Sequence, residues 1–169
     1  MVCALEPKEC STLFNNGLGR HRIEGIGDKM VTLNHNVLTT DYVQLIHDDD
    51  CVIGLELLQR QIPLVERLLG LPKGRFGTLH ELFGISGVCN VRGAVRLAGY
   101  LGLGRGDNVV TIATDGFDRY PSVLANLEGR MSPLDDAKLS GWFKTIFLPV
   151  GAPEILDVRP AEQKDACSH

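Results

Sequence analysis

The amino-acid sequence predicts an α/β fold built on a mostly parallel sheet. Three observations predict it: short apolar runs at residues 2–5, 42–46 and 109–113, helix-period segments between them, and glycine- and proline-rich turns at the joins. A chain of 169 residues, 44% hydrophobic and 22% charged, is long enough to bury a core of ordinary size.

Each element has its own reason. Residues 2–5 form an apolar run that Glu6 and Pro7 close, because proline removes a ladder donor. Residues 10–16 suit one or two helical turns, ended by the glycine-rich stretch from Asn15 to Gly19. Residues 20–30 lack periodicity and are expected to form an ordered loop. Residues 42–46 have a strand pattern, with Val43 and Leu45 on one face. Asp48, Asp49 and Asp50 then suit the N-terminus of a helix reaching about Leu58, and capping accounts for these carboxylates without a metal ion.

Pro63 opens the next helical segment, whose apolar face is Leu64, Val65, Leu68 and Leu69, and residues 71–74 close it. A short helix is expected at 78–82 and a longer one at 88–101. In the longer helix Val88, Val91, Val95 and Ala98 make the apolar stripe, with Arg92 and Arg96 on another face. Gly102, Gly104 and Gly106 follow a helix rather than a strand, so a plain connection explains them better than a nucleotide loop. Residues 109–113 are a β-branched run of the kind buried in parallel sheets, and 117–127 form a helix that Asp115 would cap.

The main unit is expected to span residues 1–130. Residues 131–169 form a C-terminal extension in which Trp142, Phe143, Ile146, Phe147, Leu148 and Val150 can dock on a core, while 159–169 is a loose polar tail.

Composition narrows the function. The 17 basic and 21 acidic residues are scattered, which gives no electrostatic footprint for nucleic acid. Five cysteines without a Cys-x-x-Cys pair suggest neither a disulfide framework nor a zinc site, and histidines without metal-ligand spacing agree. No basic leader or membrane-length apolar run is present, so the expected location is the cytoplasm.

Three places invite chemistry. Gly25, Ile26 and Gly27 lie between polar residues without a regular element, and glycines there let backbone approach a planar ligand or make a tight turn. Ser86, before a helix, either caps it or presents a hydroxyl where sheets bind ligands beyond their strand ends. Asp115, after the run at 109–113, has the same two roles open to it.

Taken in order, these pieces resemble the C-terminal part of the fold-type II pyridoxal phosphate enzymes, most closely the cysteine synthase and cystathionine β-synthase group. Val2-Cys3-Ala4-Leu5-Glu6-Pro7 is similar to the family's Val-x-Ala-Val-Glu-Pro strand end, and His21-Arg22-Ile23-Glu24-Gly25-Ile26-Gly27 to its His-Lys-Ile-x-Gly-Ile-Gly loop. Residues 41–49 resemble the following strand, Gly84-Ile85-Ser86-Gly87 the Gly-Ile-Ser turn, and 109–120 the segment that ends in Arg-Tyr.

The resemblance implies a partial Rossmann-like three-layer fold, the C-terminal half of the tryptophan synthase β-subunit-like architecture. It implies pyridoxal 5'-phosphate as cofactor and β-elimination or β-replacement on an amino acid, a lyase or transferase of amino-acid metabolism. Ser86 and Gly84 would meet the pyridine nitrogen side, with Thr114 and Asp115 near the ring edge, and Gly25, Ile26 and Gly27 would line the substrate side. The family usually has Gly-Ile-Ser-Ser-Gly where Gly87-Val88-Cys89 follows here, and residues 114–119 carry an extra residue before the arginine, so a divergent, β-subunit-like subgroup is implied.

The family's Schiff-base lysine, its substrate loop and its Gly-rich phosphate loop all precede the segment matching Val2. No catalytic residue is therefore assigned in this chain, and the isolated chain is expected to be inactive, completed by a homo-oligomer or a complementing chain. Two other functions remain open: a non-catalytic subunit or interaction module, and a small Rossmann-like nucleotide binder.

Overall fold

Two parallel strands set the frame. β1 (Cys3–Pro7) and β2 (Tyr42–Ile46) pair with Cys3 opposite Tyr42 and Pro7 opposite Ile46. The structure, a computed structural model, describes residues 1–15, 17, 19–26, 30, 32, 35–78, 81–148 and 154–161. β3 (Ile155–Asp157) pairs with β2 in the antiparallel sense, which gives the order β1-β2-β3. All five residues of β2 are buried, as befits a central strand.

The fold is α/β, but its sheet is small and mixed rather than mostly parallel. Residues 109–113, expected in the sheet, join no ladder among the described residues; Val110 is 90% exposed and Ile112 69%. Strand propensity expresses fit to neighbouring strands, and among the described residues no strand lies beside the run to receive it. The strand that takes the third place, Ile-Leu-Asp, is too short to show a period.

The helices pack around α2 (Asp48–Arg60), which is buried from Cys51 to Leu58. It packs against α3 (Ile62–Leu68), α4 (Ile85–Tyr100), α5 (Pro121–Met131) and α6 (Asp136–Phe147). Pro63 lies in the first turn of α3 as its sequence predicts. Gly54 allows the closest approach, since a Cβ there would sit 2.7 Å from Val88 Cγ1. Residues 8–10 form a 3₁₀ turn before the short α1 (Thr12–Asn15), whose Leu13 and Phe14 N–H groups donate to the buried Glu6 carboxylate at 2.6 and 3.0 Å.

Leu139, Phe143, Ile146 and Phe147 of α6 enter the same core as α2 and α4, and the division expected after residue 130 falls inside α5. Asp135 caps α6 by accepting the Lys138 N–H at 2.8 Å. Val150 and residues 162–169 lie outside the described residues, as does part of the helix expected at 78–82. The helix expected at 117–127 is a 3₁₀ turn at Phe117–Arg119 followed by α5, because Pro121 starts a new first turn.

Two further expectations are corrected by packing. The first-turn aspartates of α2 are ion-pair partners rather than caps, the cap position being His47. Asp48 and Asp49 bind Arg22, and Asp50 binds Arg92. The buried stripe of α4 is Ile85, Val88, Cys89, Arg92 and Gly93, rotated from the predicted one, so Arg92 points into the protein. A helical period finds a stripe of apolar residues, but it cannot see that a half-buried aspartate on α2 will take in an arginine.

Gly102, at φ +64°, ends α4: its N–H donates to Gly99 O at 3.2 Å and the Leu103 N–H to Ala98 O at 2.9 Å. This is the paired-bond stop that favours a left-handed glycine. The glycine run is thus the end of a helix, as expected, but it does not lead into a strand.

Candidate functional site

The N-terminus of α4 brings together most of the residues that the sequence singles out. Gly84 is its cap residue, and the Gly84 N–H donates to Asp115 O at 2.7 Å, tying the loop after residue 113 to the helix start. Gly84 has to be small there: a Cβ would overlap Asp115 Oδ1 and lie 2.6 Å from the Tyr120 ring. Ser86 sits inside the first turn. Its hydroxyl does not cap the helix, because the Val88 N–H is taken by Gly84 O at 3.0 Å.

The Ser86 hydroxyl instead meets Thr114 Oγ1 at 2.5 Å and Asp115 Oδ1 at 3.4 Å. Thr114 donates to the same carboxylate oxygen at 3.2 Å, and the Tyr120 phenol donates to Asp115 Oδ2 at 2.5 Å. Asp115 therefore organises three hydroxyls rather than capping the following turn. Burial pushes the Tyr120 phenol above its usual range, and the hydrogen bond to Asp115 and that carboxylate's charge add to the shift.

The loop that carries Gly25 reaches this cluster because it is fastened at both of its early residues. Arg22 donates its backbone N–H and Nε to Asp48 Oδ2 at 2.8 and 3.1 Å and pairs with Asp49. Ile23 is fully buried in the core. Gly25 follows with φ +87°, a conformation that favours glycine, and a Cβ built on it would lie 4.0 Å from Ser86 Oγ. Ile26 packs its side chain against the core. Gly27 lies outside the described residues, as does Lys29.

Gly25, Gly84, Ser86, Thr114 and Asp115 are thus gathered, although no two of the three segments are close in sequence. Sequence reasoning missed what Tyr120 and Arg22 do. An aromatic hydroxyl five residues after an aspartate, with proline next, was a usable signal for the first; the second needed the fold.

The cluster has a limited chemical repertoire. Each hydroxyl has one proton to give, and Thr114 can direct its own to Asp115 or to Ser86. When Thr114 donates to Ser86, the Ser86 proton is free for an acceptor placed beyond it. A ring nitrogen is such an acceptor. Neither of two other openings contains this cluster: a cleft of about 460 Å³ bordered by Arg22, Val52, Ser122, Val123, Leu127 and Arg130, and a groove of about 200 Å³ beside β1.

Among the described residues, no group of three or more His, Cys, Asp or Glu is arranged to hold a metal ion, and no helix is long and apolar enough to cross a membrane. Comparisons with protein-family models, with curated proteins and with solved structures find no match to this chain.

Proposed function

We propose that the cluster at the start of α4 is the pyridine-side wall of a pyridoxal phosphate site, in the C-terminal part of an enzyme of the cysteine synthase and cystathionine β-synthase kind. The observation that carries this is Ser86: a serine at a helix start that leaves its helix uncapped and gives its hydroxyl to Thr114 and Asp115, across from the bare α-carbon of Gly25.

The residues fit one edge of the cofactor. Ser86 would donate to the pyridine nitrogen, accepting in turn from Thr114, and Gly25 would leave room for the ring to lie against backbone. Pyridoxal phosphate supplies an electron sink for loss of an α-proton and a β-leaving group. A neutral serine donor does not hold a proton on the nitrogen as a directly bonded carboxylate would, which suits β-elimination and β-replacement better than transamination. With Thr114 turned to Ser86 and Ser86 to the ring nitrogen, Asp115 keeps the Tyr120 phenol on Oδ2 and holds the loop at the start of α4 through its backbone O, which accepts the Gly84 N–H. This assignment places the Schiff-base lysine and the phosphate loop outside residues 1–169.

The test uses 4'-deoxypyridoxine 5'-phosphate, which keeps the ring nitrogen and phosphate but cannot form a Schiff base. Titrated into the whole chain, it should shift the amide resonances of Gly25, Ser86 and Thr114, and Ser86→Ala should weaken the effect about fivefold or more, the worth of one hydrogen bond. Pyridoxal phosphate followed by borohydride should leave no single stoichiometric pyridoxyl-lysine peptide. Shifts spread over the surface and unchanged in Ser86→Ala would refute the assignment.

A further inference from the structure

We propose that the outer edge of β1 is a docking slot for one short, extended, uncharged strand supplied by another polypeptide, which would pair with β1 on one side and with residues 109–112 on the other. The inference is independent of the cofactor site, since no residue of the slot belongs to the hydroxyl cluster.

The register fixes which backbone groups of β1 are free to pair. Val2 O accepts the Tyr42 N–H at 3.1 Å, and Cys3 lies opposite Tyr42. In a parallel ladder the backbone groups then alternate, so those of Ala4 and Glu6 point to β2 and those of Cys3 and Leu5 point away. β1 is the edge of the sheet, and among the described residues the outward N–H and C=O groups of Cys3 and Leu5 meet no backbone partner.

Facing this edge is a second stretch of unpaired backbone. Residues 107–116 run without a turn or bend, and none of residues 109–113 makes a backbone–backbone hydrogen bond with another described residue. The stretch is held in place from below, where Asn90 of α4 donates to Ile112 O at 2.9 Å. Between the two rails lies the groove of about 200 Å³, floored by Gly93, Ala94 and Leu97 of α4 and lined further by Leu101 and Leu103.

The groove dictates its occupant. Two rails of backbone donors and acceptors can be satisfied together only by an extended strand, because a helix spends its backbone groups internally. No lining side chain carries a charge, so away from the amino terminus at Met1 a charged strand would gain no partner for its desolvated groups. The floor of Gly93 and Ala94 calls for alternate apolar side chains facing α4. Pro7 has no N–H to offer and ends the rail, which limits pairing to about four residues.

The test titrates the whole chain with a capped hexapeptide of alternating valine and alanine, beside the same peptide N-methylated at every second residue. The unmodified peptide should shift the amide resonances of Cys3, Leu5, Val109, Val110 and Thr111 and slow hydrogen exchange about tenfold or more at Cys3, Leu5 and alternate residues of 109–111. The N-methylated peptide should do neither. Leu5→Pro removes one outward donor at an edge position, and it should weaken binding about tenfold while the α6 amides keep their shifts. Thr111→Pro carries the same expectation if Leu5→Pro does not fold. Equal binding of both peptides, no change at these amides, or full binding by a folded proline variant would overturn the proposal. So would light scattering that shows a dimer with these same amides already protected, because a second copy would then be the occupant.

Discussion

The two halves of α4 meet one continuous segment, residues 109–120, in opposite ways. At the N-terminal end, Gly84 and Ser86 hold residues 114–120 through backbone, hydroxyl and carboxylate bonds. Further along, Gly93 and Ala94 face residues 109–111 across an open groove. The better strand former is the part left unpaired, and the polar stretch after it is the part that is fixed. Propensity needs a partner strand before it becomes structure, whereas a few charge-assisted bonds to one carboxylate fix a loop locally.

Arg92 pins α4 to α2 through Asp50 and so ties the two ends of the helix together. Its guanidinium is buried beside Asp50, while Arg92 Nε and Nη1 have no hydrogen-bond partner among the described residues. Asp50→Ala should therefore cost about 3–5 kcal/mol in urea unfolding, because it leaves a buried charge uncompensated. Replacing both residues, Asp50→Leu with Arg92→Met, should recover most of that loss. If Asp50→Ala unfolds at the wild-type midpoint, α4 is not anchored there and its two ends need not behave as one unit.

Next in size is a pair of glycine substitutions that contrasts the two ends directly. Gly84→Ala forces a methyl group onto Asp115 and Tyr120, which are held by mutual hydrogen bonds; the expected loss is about 2 kcal/mol. Gly93→Ala meets Leu5 Cδ1 and Cδ2 at 2.5 and 2.6 Å, but Leu5 lines the groove and has space to move, so the expected loss is below about 1 kcal/mol. Equal losses in chemical denaturation would mean that the groove is not open to Leu5.

The contrast also explains what the sequence made legible. β2, α2 and α3 are foreseen nearly residue by residue, since an apolar run, an acidic first turn and a proline at a helix start are local signals. The gathering of Gly25, Ser86 and Thr114 is legible only as an ordered set of short motifs. Arg92 in the core and Arg22 on Asp48 are not legible, because each depends on a carboxylate brought close by the fold. The run at 109–113 misleads for the same reason: its pattern reports a buried strand, and no strand among the described residues lies beside it.

A smaller effect is expected of Tyr120→Phe, which removes one phenol from Asp115 and should cost about 1 kcal/mol near neutral pH. The alkaline limb separates this from simple loss of packing. Because the folded protein holds the Tyr120 proton above the usual phenol range, the stability it contributes is complete below about pH 10 and is lost as pH rises further, when the unfolded chain ionises first. Wild type should thus lose stability faster than Tyr120→Phe above about pH 10. Parallel alkaline limbs would show that the phenol is not held by Asp115.

The smallest effect belongs to the open end. Val110 is 90% exposed and has no backbone partner among the described residues, so Val110→Thr should change stability by no more than about 0.5 kcal/mol in the chain alone. The same substitution keeps a β-branched side chain, so a strand docked beside it should still pair. Val110→Pro shares the near-zero expectation in the free chain, because no ladder bond with a described residue is present to be lost. A proline that destabilises the free chain by more than about 2 kcal/mol would show that residues 109–113 are already paired, and the contrast between the two ends of α4 would collapse.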